Sequence, residues 1–394
     1  MFSFRCKVLS FKKYSIFVIP FLATGCIHDN ISDDGVVVSD NVAVITTIQA
    51  DRSGGAHALI TVDEERTVTT EILPTNGSDL AMSASGNSFF RIDRTTASIQ
   101  KFNADRPGTL VSEFSVAGNE EANPQDILLL NESKAYVFRR ESNLVWIVNP
   151  SATVEEDYKI GEIDFSAYAD PDGNSEPVSG LLVGDKLYVV LQNMEDQGSF
   201  VFVPHIAYVA VIDTTTDQQI DIDTLTDGIQ AITLPIKNPY YIVYQESLGK
   251  IFVQAGGDTW PALDYTGGIA VIDVNDYSVD TLIDDNETTN SISNIAIISD
   301  TQAYFISYKN YQDNYLFEFN PSNGDYFAVS LPELDGKDLA DIEVDIDGKL
   351  WIASFVEKGI YILDPAENEI EGSLIPTVFG PTDIEFVELP QTQE

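Results

Sequence analysis

The chain has 394 residues, 63 acidic and 21 basic, for a formal charge of −42. That charge opposes DNA, RNA and anionic lipid surfaces, which are bound through Lys and Arg, so no nucleic-acid partner is expected. Two Cys and three His leave little material for a thiolate site, a His-rich metal centre or a Ser-His-Asp triad.

At the N-terminus, Arg5, Lys7, Lys12 and Lys13 precede the apolar run YSIFVIPFLAT. A spanning helix needs about 20 apolar residues, so this shorter run reads as a secretory signal. It ends in LATGC, which resembles a bacterial lipobox with Ala23 where an aliphatic residue is usual. The resemblance implies cleavage after Gly25, a diacylglycerol on Cys26 and, because Ile27 rather than Asp follows, an outer-membrane address. Several acyl chains hold a protein on a membrane far better than one. Cys6 leaves with the signal, so no disulfide is expected. Residues 1–25 are read as signal, 26–41 as lipidated Cys and polar tether, and 42–390 as the folded domain. The acidity is read first as a solubility adaptation, with attraction for cations second.

From residue 42 onward the chain is a series of short β-rich runs. NVAVITT, AHALITVD and TVTTEIL come first, and Asp63 closes the second of them. Next come Asp79 at an opening strand, the aromatic Phe89 in NSFFRI, and Asn103 closing QKFN. The same three markers return as Asp126, Tyr136 and Asn149, then as Ser179, Tyr188 and Asp213. They continue as Tyr241, Phe252 and Asp273, as Asn294, Tyr304 and Asn320, and as Asp341, Trp351 and Asp364. Asp383 opens a final strand, GPTDIEFVEL, that has no partner after it. The closing Asp or Asn suits an Asx-turn. The aromatic occurs six times, and the first repeat departs from it at AHALI.

The opening marker runs from 79 to 383 in six steps, about 51 residues each, the length of a four-stranded propeller blade. KLYVVL…VAVIDTTTDQQID resembles the YVTN-type (YncE-like) propellers. The expected fold is therefore all-β: a seven-bladed β-propeller, monomeric, with Asp383–Leu389 inserted as the innermost strand of the first blade. That closure removes an open sheet edge.

Connections before strand one and between strands two and three share one rim, here called the upper rim. The spacing from aromatic to Asx-turn is 14, 13, 25, 21, 16 and 13 residues, so the surplus falls on the upper rim of blades four and five. Long ordered loops are usually functional. Blade four offers Phe200, Phe202, His205 and Tyr208; blade five offers Asp258, Trp260, Asp264 and Tyr265; blade six adds Tyr308, Tyr311 and Asp313. Such aromatics suit stacking on a sugar, a catecholate or a macrocycle, or they pack on one another as a lid.

A second group, Asp79, Asp126, Asn294, Asp341 and Asp383, is expected at the channel mouth. Oxygen ligands there would suit Ca²⁺, although acceptance of backbone N–H bonds between blades is the favoured reading. ADPDGNSE, ending at Glu176, places acids at alternate positions but fails the EF-hand pattern and reads as an ordinary polar loop. Arg139 and Arg140 are read as balancing acids such as Glu141. Among similar secreted propeller lipoproteins, some capture cobalamin or siderophores beside an outer-membrane transporter. The resemblance therefore implies ligand capture or transporter assistance without a resident cofactor. An envelope scaffold and a Ca²⁺-assisted hydrolase or lactonase stand as alternatives.

Overall fold

A computed structural model describes residues 41–118, 122–199, 201–258 and 263–389. Seven antiparallel sheets of four or five strands follow one another along the chain, with strand order matching sequence order in six of them. The first blade is the exception. Its order is Val68–Thr75, Gly55–Thr61, Asn41–Ile48 and then Gly380–Glu388, so the last strand of the chain is the innermost strand of the first blade. The all-β seven-bladed propeller is the observed architecture, and among the described residues the only helices are three short 3₁₀ turns.

The core is divided into seams. Seven apolar clusters each join two successive blades, from the first–second seam (Val42, Phe89, Phe102) round to the seventh–first seam (Ile45, Trp351, Ile384). Central strands are apolar on both faces because each face meets a neighbouring blade. This is why KLYVVL shows no alternation and is buried from Leu187 to Leu191.

All six repeated aromatics are fully buried in these seams. Two reach the next blade with their hydroxyls: Tyr136 donates to Asp217 at 2.8 Å and Tyr304 to Asn368 at 2.7 Å. Both acceptors lie four residues beyond an Asx-turn and take a left-handed backbone (φ 56° and 54°), which Asn and Asp tolerate better than most residues. Six of the seven turns form as read, while Asn103 Oδ1 takes the Ser88 hydroxyl (3.4 Å). For example, Asp213 Oδ1 accepts the Thr215 N–H at 2.8 Å and Asp364 Oδ1 the Ala366 N–H at 2.9 Å.

The first repeat departs from the pattern elsewhere than expected. AHALIT is its third strand, as insertion of the C-terminal strand requires, so the missing aromatic belongs elsewhere. The second strand is Asn41–Ile48, where Val44 pairs with Glu385 and fills the aromatic position, fully buried.

Candidate functional site

The opening strands of all seven blades line a central channel of about 2360 Å³. Six of them break register with the second strand near their polar marker. A bulge of this kind re-aims a side chain, and here the marker side chains link neighbouring blades. Asp383 Oδ2 accepts the Met82 N–H (2.7 Å), and Asp341 Oδ2 accepts the Ile384 N–H (2.8 Å). Asn294 donates to Asp341 Oδ1 (2.6 Å) and to the Tyr241 hydroxyl (2.7 Å). Asp126 Oδ1 accepts from Ser83 (2.5 Å), whose own Oγ accepts the Ile127 N–H (3.3 Å).

Blade two alone pairs without a bulge. Its hairpin is also tighter, with Ala84 opposite Phe89 where blade three has Leu128 opposite Tyr136. Asp79 therefore falls just ahead of its strand, Leu80–Ser85, and Ser83 serves as the inter-blade link instead. Asp79 still lines the channel, where Arg94 Nη1 pairs with it at 3.2 Å. Arg94 Nη2 donates across the ring to the Tyr240 hydroxyl (3.1 Å), which donates to Gln125 Oε1 (2.8 Å). This bar spans from blade two to blade five. Burial pushes the Asp383 carboxyl up to about 6 against the opposing Met82 N–H and Arg94, and burial beside Asp383 and Glu343 holds Asp341 well above the usual carboxylate range.

The upper rim of blades three to five is the second candidate. The blade-four loop folds as a small hairpin, Met194–Asp196 with Phe202–Pro204. Arg140 lies 5.3 Å over the Phe202 ring and donates to Gln192 Oε1 at 3.0 Å. Gln192 donates to Asn238 (2.7 Å), and Asn238 donates to Gly257 O (2.8 Å), so loops of blades three, four and five are bonded in series. His205 pairs with Glu195 at 2.7 Å. Tyr208 stands in a strand, its ring 5.2 Å from Tyr168.

In blade five, Asp264 Oδ1 accepts from Asp258 N (3.2 Å) and Thr266 Oγ1 (2.7 Å), closing its own loop, and Tyr265 is half-buried. Three of the four paired glycines, Gly257, Gly267 and Gly268, are steric. A Cβ on Gly267 would sit 2.4 Å from Ala255 O, because the two legs of the loop cross at backbone contact. Phe200 and Trp260 lie outside the described residues. The blade-six residues form an extended hairpin in which Asp313 is held by Lys309 (3.1 Å) and Tyr315 (2.8 Å), and Tyr311 is 59% exposed. Backbone bonds of Asn314 tie this hairpin to Gly336 and Lys337, on the side of blade seven and away from the blade-four loop.

No family model and no curated protein matches the chain. Solved structures do. Hydrazine synthase from Kuenenia stuttgartiensis is 15% identical, with a TM-score of 0.57 over 77% of this chain and 87% of that one. Apo AztD from Citrobacter koseri is 12% identical, with a TM-score of 0.52 over 89% and 98%. A protein named as a 6-phosphogluconolactonase from Bacteroides uniformis is 13% identical, with a TM-score of 0.60 over 89% and 100%. At these identities the likeness is one of fold, and such differently named proteins share it because function resides in loops and sites.

The loop read as ordinary is where carboxylates converge. Asp170, Asp172 and Glu176 each place an oxygen within 4.8 Å of the others, and among the described residues no other His, Cys, Asp or Glu trio does so. Burial pushes Glu176 up to about 7, with the Asp170 and Asp172 charges adding to it, and burial beside Asp172 pushes Asp170 up to about 6. The alternating acids were the available signal. Arg139 is enclosed. It is 1% exposed, donates to Val116 O (2.9 Å) and Ala117 O (2.8 Å), and stacks 4.5 Å from Trp146.

Proposed function

We propose that this protein is a lipid-anchored binding protein of the bacterial cell envelope, held through Cys26, which captures a ligand on the upper-rim loops of blades four to six. The observation that carries this reading is the surplus chain on one rim, folded and cross-bonded through Arg140, Gln192, Asn238 and Gly257. Chain beyond the needs of a turn costs ordering entropy and is usually retained for recognition. Phe202, His205 and Tyr265 remain half-buried on these loops, and Tyr311 is exposed. They offer flat apolar area with polar edges, suited to a ring-bearing small molecule handed to an outer-membrane transporter. Binding is favoured over hydrolysis because the channel carboxylates Asp126, Asp341 and Asp383 already serve as acceptors between blades.

The test is recovery of the mature protein from native membranes, beside a Phe202→Ala/Tyr265→Ala/Tyr311→Ala variant, with mass spectrometry of proteins and small molecules. A small molecule or transporter lost from the variant supports the assignment. Recovery of a protein partner alone, lost from the variant, would favour a scaffold on the same loops. Identical recovery from both would overturn the rim assignment.

A further inference from the structure

The loop 165–176 enters blade four beside the hairpin Met194–Pro204, and backbone bonds hold all three acids in place, through one oxygen of Asp170 and of Glu176 and both of Asp172, whose Oδ1 accepts the Asn174 N–H (2.9 Å). Asp170 Oδ1 accepts the Asp172 N–H (3.0 Å), Asp172 Oδ2 accepts the Asp196 N–H (2.7 Å) and Glu176 Oε2 accepts the Met194 N–H (3.0 Å). Among the described residues no Lys or Arg forms an ion pair with any of the three. Glu176 is 4% exposed, so its charge is enclosed with like charges beside it.

A separate observation concerns uncharged oxygens. Ser175 Oγ and Asn193 Oδ1 are buried without a hydrogen-bond partner, on residues 0% and 3% exposed. Ser175 precedes Glu176 in the chain, and Asn193 precedes Met194, whose N–H holds Glu176. The Asn193 amide is spent on Tyr168 O (2.9 Å) at the start of the same loop. Asn143 Oδ1 is likewise enclosed and unpartnered while its amide donates to Gly173 O (2.8 Å), and so is Asp170 Oδ2. A buried oxygen left without a partner is costly, because its lost hydration is not replaced. Three of these oxygens sit on residues that flank the acids or bond to their loop, and the fourth is Asp170's own, so one shared positive partner would satisfy them together.

We propose that Asp170, Asp172 and Glu176, with oxygens of Ser175, Asn143 and Asn193 round them, form a Ca²⁺ site that pins the loop 165–176 to the blade-four hairpin. Hard cations take oxygen ligands, and Ca²⁺ accepts six to eight of them in irregular geometry, which suits carboxylates, carboxamides and a hydroxyl drawn from three loops. Mg²⁺ demands a tighter octahedron and keeps more of its water. The site stands independently of the ligand-binding reading, since it concerns how the hairpin is held and not what the aromatics meet.

The experiment is calorimetric titration of the detergent-solubilised full mature protein, stripped with EDTA, with CaCl₂ at pH 7.5 in 150 mM NaCl. One saturable site is expected, with Kd of about 10⁻⁴–10⁻³ M, the range of extracellular calcium modules. Asp172→Asn and Glu176→Gln are each expected to weaken it at least about tenfold, while Asp347→Asn, in a hairpin turn of blade seven, leaves it unchanged. Asp172 is exposed, so its substitution reports on the site even if Glu176→Gln fails to fold. Weak, unsaturable uptake that is equal in all variants would mark general attraction to the acidic surface and overturn the proposal. A site that prefers Zn²⁺ and is lost in His205→Gln would overturn it equally.

Discussion

Cutting the chain before Gly380 should destroy the propeller rather than trim it. The strand Gly380–Glu388 pairs with Asn41–Ile48 along its whole length. Ile384 and Val387 are 2% and 1% exposed, and Phe386 meets Trp351 edge-on at 5.3 Å. Burying two aliphatic side chains is worth about 1.5–3 kcal/mol each, and the aromatic pair adds about 0.5–1.5 kcal/mol. Truncation also strips Asp341 of the Ile384 N–H and Asp383 from Met82. Together these losses reach at least about 5 kcal/mol, comparable with the whole stability of many domains, about 5–15 kcal/mol. The exposed edge of Asn41–Ile48, with Val42, Val44 and Ile45 beneath it, would then seek another strand. The truncated protein is expected to be insoluble or oligomeric by size-exclusion chromatography. Ile384→Ala, a milder change, is expected to cost about 2–4 kcal/mol in urea unfolding followed by Trp fluorescence. A truncated chain that elutes as a monomer and unfolds at the wild-type midpoint would refute the view that this strand closes the ring.

Gly180→Ala would place a Cβ 2.3 Å from Phe138 Cζ in the third–fourth seam; overpacking should cost about 1–3 kcal/mol, seen as a lower thermal midpoint. Tyr136→Phe removes the hydroxyl that bonds Asp217, but Lys134 still pairs with that carboxylate at 2.7 Å, so a loss of only about 1 kcal/mol is expected in urea titration. His57 is enclosed between Phe89 and Phe102, with Pro107 O at 2.9 Å and Arg91 at 3.3 Å; burial first, then the Arg91 charge, pushes it down to about 4. The unfolded chain, protonating near 6.5, takes up this proton first, so the stability His57 contributes above that pH is lost as pH falls towards 4, roughly 3 kcal/mol in all. His57→Gln lacks this dependence, and the stability gap between wild type and variant should narrow between pH 7 and pH 4. A constant gap would show that His57 protonates without penalty.

Much of the ring was legible because each blade repeats the same physical problem. Phe89, Tyr136, Tyr188, Phe252, Tyr304 and Trp351 recur because every seam needs a large side chain at that point, and Asp or Asn recurs because every lower turn needs the same local acceptor. The first blade hid its second strand because Val44 does there, beside the returning Glu385, what an aromatic does elsewhere. Asp79 matched the others in spacing and still missed the ring position, since spacing does not reveal whether a strand is bulged. At the rim, loop lengths pointed to blades four and five, but the bonding of Arg140 through Gln192 to Asn238 joins residues about fifty positions apart and leaves no local trace.

By itself, the sequence was enough to determine the number of blades, the order of strands within most of them and the closure by the C-terminal strand. These follow from hydrophobic runs, turn chemistry and a period, all of which are local properties repeated along the chain. Tertiary structure alone decided the state of the polar groups. In sequence, Asp126, Asp341 and Asp383 suited either inter-blade acceptors, the favoured reading, or free channel ligands, and the structure shows them as acceptors for neighbouring blades. Asp170, Asp172 and Glu176 look like an ordinary solvated loop, yet they face one another in a partly enclosed space. The difference is one of distance and desolvation, and both are set by which remote segments the closed ring brings alongside.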